Sequence, residues 1–175
     1  MDEEIREKHM EIRKAGVEDI EAVVSMRLEF FDEIKPMAPG VREELAQSLR
    51  AFMKRHFAAG DMVALLGKQQ GQLVATGLLN VTECPPKPYN ISGRTGYICS
   101  IYTPPAHRHK GYARQIVGRL VQEARQMGLT RLDLTATDAG RPLYIELGFG
   151  PCHENYLELF LEGDIGNGDS QSNPQ

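Results

Sequence analysis

The residues best equipped for chemistry lie between Thr103 and Arg114, in the run Thr103-Pro104-Pro105-Ala106-His107-Arg108-His109-Lys110-Gly111-Tyr112-Ala113-Arg114. An apolar strand enters this run and a long amphipathic helix leaves it. At a helix start several backbone N–H groups lack an internal acceptor, and the aligned peptide dipoles add partial positive charge. Such a start holds a phosphate or pyrophosphate by the backbone itself, and Gly111 lets the chain approach closely. Arg108, Lys110 and Arg114 add full charges, which favours a ligand with several phosphates over a lone carboxylate. The local chemistry therefore points to a nucleotide-like tail. The alternative is a plain turn followed by a solvated helix start. Neither GxxxxGK[ST] nor a strand-associated GxGxxG is present, so the common nucleotide loops do not explain the pattern. His107-Arg108-His109 invites a metal reading, but two histidines in one loop without a further Cys/His cluster do not make a zinc site, and no metal is expected.

These residues need a scaffold, and periodicity supplies one. Tyr97 to Thr103 is apolar or weakly polar on both alternating faces, as in a central strand covered on both sides. After Gly111, Ala113, Ile116, Val117, Leu120, Val121 and Ala124 recur at helical spacing on one stripe. Leu132, Leu134 and Ala136 alternate with Asp133, Thr135 and Thr137, which predicts a strand, and a short helix follows over Arg141 to Leu147. Upstream, a strand is predicted over His9 to Ala15. A helix follows, carrying Ile20, Val23, Val24, Arg27, Leu28 and Phe31, and a second helix runs from about Val41 to Ala59 beyond Pro36 and Pro39-Gly40. Met62 to Gly67 and Gln72 to Val81 read as a hairpin, and Cys84-Pro85-Pro86-Lys87-Pro88 as a loop. Phe149 to His153 and Tyr156 to Leu161 read as two last strands, and the polar tail Gly163 to Gln175 as disordered.

The spacing Arg108-x-x-Gly111-x-Ala113, placed between that strand and that helix, resembles the acyl-CoA signature of the GCN5-related N-acetyltransferase (GNAT) superfamily: Arg or Gln, two residues, Gly, one residue, Gly or Ala. Downstream, Leu143-Tyr144-Ile145-Glu146-Leu147-Gly148-Phe149 is similar to the later family motif LYxxLGF. The element order agrees from about Glu11 to Leu161, and Tyr97 to Phe149 carries the specific residues.

The resemblance implies an α/β fold with a mixed, mostly antiparallel sheet of six or seven strands, about four flanking helices, and a splayed parallel pair formed by the strands ending at Thr103 and Thr137. It implies a single domain over residues 9–162. It implies that backbone amides from His109 through Lys110, Gly111, Tyr112 and Ala113 to Arg114, with Arg108, hold the pyrophosphate of acetyl-CoA. The backbone of Ile101, Tyr102 and Thr103 would pair with the pantetheine arm, Tyr102 supplying the amide that polarises the acyl carbonyl. Tyr144 matches the tyrosine that returns a proton to the leaving thiolate, a role open to a phenol that stays protonated at neutral pH. Many family members bind the CoA arm with an asparagine where this chain has Thr137-Asp138, and the role is carried to Thr137.

Acetyl transfer to an amine requires the amine to lose its proton first. Glu83, at the end of its strand beside the expected splay, is the candidate base. Glu29 and Asp32, near the end of the first helix where the family builds its acceptor cleft, are candidates to draw a cationic acceptor. The reading is direct transfer from acetyl-CoA to a primary amine of a small molecule or peptide. The alternative is a non-catalytic acyl-CoA-binding or regulatory module. The family often forms homodimers.

Whole-chain properties agree with that partner class. The chain of 175 residues has one domain's length and a formal charge of −4 with both signs interspersed, which gives no broad cationic face for nucleic acid or an anionic membrane. Cys84, Cys99 and Cys152 are far apart and odd in number, and no apolar run is long enough to span a bilayer. The acidic start Met1-Asp2-Glu3-Glu4 is unlike a secretory signal, so a cytoplasmic setting is expected. Cys99 reads as a core thiol, and an acyl-cysteine intermediate is not expected.

Overall fold

The computed structural model describes residues 10–152. Five strands, β1 (Glu11–Lys14), β2 (Met62–Gln69), β3 (Gln72–Glu83), β4 (Arg94–Tyr102) and β5 (Leu132–Leu134), form one sheet in the order β1-β2-β3-β4-β5. The first three pairings are antiparallel, and β4 and β5 are parallel. Four α-helices accompany them: α1 (Ile20–Ile34), α2 (Pro39–Ala59), α3 (Tyr112–Gln126) and α4 (Arg141–Glu146). No helix among the described residues is long and apolar enough to cross a membrane.

Side-chain alternation explains why two helical layers are needed. Successive residues of a strand face opposite sides. On β2, Ala64 and Leu66 face α1 and α2 while Leu65 faces α3; on β3, Leu78 and Leu79 divide in the same way. The stripe predicted after Gly111 is the buried face of α3, with Ile116, Val117 and Leu120 all at 0 % exposure. Val23, Val24 and Leu28 of α1 meet Leu49 and Met53 of α2 on the opposite face. Met53 is fully buried there.

Two expectations change. Proline fits the first turn of a helix, where its missing N–H costs no bond, so α2 starts at Pro39 rather than after it. The count of six or seven strands is not reached, because the described residues form five. Residues 149–152 of the strand expected at Phe149 to His153 are not in a strand. The Phe149 N–H is used to close α4 on the Tyr144 carbonyl at 3.0 Å, beside Gly148 at φ +93°. His153, the strand expected over Tyr156 to Leu161 and the tail from Gly163 lie outside the described residues.

Candidate functional site

The site begins where the parallel pair stops. β4 and β5 are in register at Gly96 with Leu132, Tyr97 with Asp133 and Ile98 with Leu134. β4 then runs on from Cys99 to Tyr102, with no β5 partner for that stretch among the described residues. Backbone polar groups on that edge need another partner. On the other edge a bulge interrupts the β3–β4 ladder: Leu78 pairs with Cys99 and Thr76 with Tyr102, leaving Ser100 and Ile101 opposite Gly77. Ser100 takes φ +53° there. A Cβ on Gly77 would come within 2.5 Å of Ile116 and 2.6 Å of Ile101, so the glycine permits the crowding behind the bulge. The Ile101 side chain packs in the α3-facing core. Tyr102 is 6 % exposed and meets Phe30 of α1 edge-on at 6.0 Å. Its burial, followed by the nearby Glu33 and Glu29 carboxylates, pushes its phenol pKa up.

Beyond Thr103 the loop makes a 3-10 turn over Pro105–His107, then enters the left-handed region at His109 (φ +62°) and Gly111 (φ +79°). The first internal bond of α3 runs from the Gln115 N–H to the Gly111 carbonyl at 3.2 Å. The amides of Tyr112, Ala113 and Arg114 therefore have no acceptor in the helix, and no side chain caps it. They border a cavity of about 370 Å³ that Thr103, His107, Arg108, Leu143 and Glu146 also line. Uncapped amides beside a cavity are what an anion cradle at this loop would require.

The basic residues around it are unequal. The Arg108 Nε donates to the Thr103 carbonyl at 3.0 Å, and its Nη2 reaches both Glu33 oxygens at 2.5 and 2.6 Å. Arg108 thus ties the loop to α1. Arg114 pairs with Glu146 of α4, whereas Lys110 has no ion-pair partner among the described residues. The Tyr112 phenol turns into the core and donates to Gln69 at 2.5 Å, leaving only its backbone to the cradle. The His107 Nδ1 is buried without a hydrogen-bond partner. Among the described residues, no group of three or more His, Cys, Asp or Glu is arranged to hold a metal.

α4 closes the cradle with Leu143 and Glu146, and Tyr144 lies between them in sequence. Tyr144 stands edge-on to Phe149 at 6.0 Å, and burial pushes its phenol pKa up. Its proton is accordingly held more firmly than in water, which suits a donor. Thr137 sits just before α4: its hydroxyl and carbonyl accept from the Gly140 N–H at 3.2 and 3.0 Å, and its carbonyl also accepts from Arg141 at 2.9 Å. Thr137 shapes the entry to α4.

The candidate carboxylates do not converge. Asp32 is engaged by the Arg42 Nε at 2.9 Å and the Met37 N–H at 3.2 Å. Glu29 is exposed and accepts from the Ser25 hydroxyl at 3.2 Å. Glu83 pairs in register with Arg94, at the start of β4. Because β3 is antiparallel to β4, its C-terminal end runs away from the splay. Glu83 is seven residues past Thr76, about 23 Å along a strand rising ~3.3 Å per residue.

Sequence reasoning missed a second cavity, of about 530 Å³, on the opposite face of the sheet, lined by Arg27, Ser48, Phe52, Arg55, Asn80 and Cys99 among others. The available signal was Arg27, a charge set inside the apolar stripe of α1. The Asn80 Nδ2 donates to Cys99 Sγ at 3.4 Å, and burial raises the Cys99 thiol pKa, which keeps it a neutral thiol.

Comparison with known proteins agrees with this geometry. The model of the acetyltransferase (GNAT) family matches residues 24–149. A predicted acetyltransferase from Clostridium acetobutylicum, solved with acetyl-CoA, is 32 % identical, with a TM-score of 0.76 over 87 % of this chain and 96 % of that one. A GCN5-related N-acetyltransferase from Ralstonia eutropha JMP134 is 27 % identical, with a TM-score of 0.74 over 86 % and 99 %. The fold alone is shared with glucosamine-6-phosphate N-acetyltransferase from Arabidopsis thaliana, at 18 % identity and a TM-score of 0.65 over 87 % and 99 %. No curated protein matches. With the motif-bearing loop, the splayed strand and more than half of the chain matched, the protein belongs to the acetyltransferase (GNAT) family.

Proposed function

We propose that the protein transfers the acetyl group of acetyl-CoA directly to a primary amine. The observation that carries this reading is the continuity of two features: a strand edge from Cys99 to Tyr102 without a β5 partner, and the uncapped amides of α3 at its end. The first suits a peptide-like pantetheine arm, which can complete a ladder, and the second suits a pyrophosphate. The two lie in chain order on one path, the arrangement one extended donor requires.

In this reading the amides from His109 to Arg114 hold the phosphates and Lys110 adds charge. The backbone at Tyr102 supports the acyl oxygen as negative charge develops, an effect that can reach ~3 kcal/mol in a water-poor site. Tyr144 gives its proton to the departing thiolate. Glu33 is committed to Arg108, which leaves Glu29 as the base beside the Tyr102 end of the splay. Glu83 takes no part. A neutral Cys99 supports direct transfer over an acyl-cysteine. Three free cysteines, two of them exposed, support a reducing cytoplasmic setting.

Thiol release from acetyl-CoA, followed with and without added amines, tests the reading. Amine-dependent release that falls in Glu29→Gln, with acetyl-CoA binding retained, is the expected result. Acetyl-CoA binding without release in any amine would instead favour a binding module.

A further inference from the structure

The cavity of about 530 Å³ between α1, α2 and the sheet carries two guanidinium groups, Arg27 and Arg55, and no carboxylate. That imbalance is local. Nearby arginines are paired: Arg50 with Glu21 at 2.8 Å, Arg42 with Asp32 at 2.9 Å, and Arg108 of the loop with Glu33 of α1. Arg27 and Arg55 have no ion-pair partner among the described residues. Arg27 is half-buried, its Nε is buried without an acceptor, and its guanidinium lies over the Phe31 ring at 4.9 Å. A partly desolvated arginine without an anion is costly, and a bound anion would relieve that cost.

A second orphan has the opposite polarity. Asn80 spends its amide N–H on Cys99, while its Oδ1 is buried and receives no hydrogen bond. A carbonyl oxygen in that state is the natural partner of a donor N–H. Asn80 is reached through Cys99, the residue of β4 directly after Ile98, where β5 pairing ends. Cys99 thus lines this cavity and is also the first β4 residue without a β5 partner, while the uncapped amides of α3 lie beyond the C-terminal end of β4. Leu49, Phe52, Met53 and Leu78 supply an apolar wall.

We infer that this cavity binds the acceptor, and that the acceptor is a small primary amine carrying its own anionic group, a carboxylate above all, held by Arg27 and Arg55. The inference rests on the acetyltransfer reading and narrows it from amines in general to anionic amines, in place of a cationic acceptor drawn by Glu29 and Asp32.

The test compares amino acids with their carboxamides and with spermidine as acceptors, using thiol release from acetyl-CoA and calorimetric acetyl-CoA affinity in parallel. Free carboxylates are expected to exceed their carboxamides about tenfold or more in kcat/KM, the worth of one charge-assisted hydrogen bond. Arg27→Gln, and to a lesser degree the exposed Arg55→Gln, should erase that preference while acetyl-CoA affinity and Tm stay near wild type. Equal or better use of carboxamides or spermidine overturns the inference and leaves the acetyltransfer reading standing. So does a carboxylate preference that survives both variants. In ¹⁵N-arginine-labelled, CoA-bound protein, the Arg27 Nε–H signal, assigned by its loss in Arg27→Gln, should shift with the same amino acids. If acetyl-CoA binds but no amino acid moves that signal or is acetylated, the inference fails. If acetyl-CoA does not bind, the acetyltransfer reading fails with it.

Discussion

The cradle at the start of α3 and the cavity under α1 and α2 are built from different parts of the chain. The cradle is made largely of backbone: uncapped amides at one helix start, set by positive φ at His109 and Gly111. The α1–α2 cavity is made of side chains from both helices, β3 and β4. A backbone site needs one contiguous segment with small residues at fixed spacing. A side-chain site can be refitted for another ligand without disturbing the ladder or the helix start. Under the proposed function, the donor site is therefore common to a family and the acceptor site particular to one protein.

Substitutions that strike one region and spare the other sharpen that contrast. Tyr144→Phe should have the largest effect, lowering kcat about 100-fold, the lower range for loss of a positioned proton donor, with acetyl-CoA affinity nearly unchanged. Because burial raises the Tyr144 pKa, its proton is retained to higher pH than for a free phenol. Wild-type kcat should therefore show no tyrosine-dependent fall below about pH 10. Arg108→Ala removes the tie between Thr103 and Glu33, and should weaken acetyl-CoA binding about tenfold, the value of one charge-assisted contact, while also raising the acceptor KM because α1 loses its anchor to the loop. A selective effect on either substrate alone would separate the two regions more cleanly than the tie implies.

Gly77→Ala strikes the frame shared by both. Its Cβ would press on Ile116 and Ile101, so stability should fall by about 1–3 kcal/mol by denaturant melt, the usual cost of overpacking. Asp19→Asn should touch neither region. The Arg13 guanidinium, bonded at 2.6 Å, holds the Asp19 pKa at about 2, below its ordinary value of 3.8. That stability is present above the ordinary value and lost as pH falls through about 2. With Arg13 42 % exposed, solvent screening keeps that contribution small. The variant should be less stable at neutral pH and lose less on acidification, with acetyl transfer intact.

Much of the fold could be read from periodicity, because helical and strand spacing of apolar residues are local properties. The α3 stripe and the alternation in β2 and β3 are examples. Strand count failed at Phe149 because a glycine-assisted helix closure uses the amide that a ladder would need. Glu83 was placed beside the splay from its strand alone, and antiparallel register, which no local pattern reveals, puts it at the other end. Glu123, on the buried stripe of α3 at 1 % exposure, is held by Lys14 at 2.5 Å and Arg119 at 2.9 Å, a long-range pairing equally hidden from spacing. Asn80 escaped notice for the same reason, and Arg27 showed only as a charge within an apolar stripe; that each holds a buried polar atom without a hydrogen-bond partner is disclosed by packing.

Calorimetric titration with acetyl-CoA, CoA and ATP, on the wild type and on Gly111→Glu, tests the donor site most directly. A Cβ at Gly111 meets nothing within 4 Å, so the variant keeps the fold at about 1–2 kcal/mol for its positive φ, while placing a negative charge in the cradle. The account predicts selective binding of acetyl-CoA and CoA by the wild type, weakened at least about 100-fold in the variant by charge repulsion and the loss of charge-assisted contacts. Failure of the folded wild type to bind CoA, or equal binding by both proteins, would contradict it.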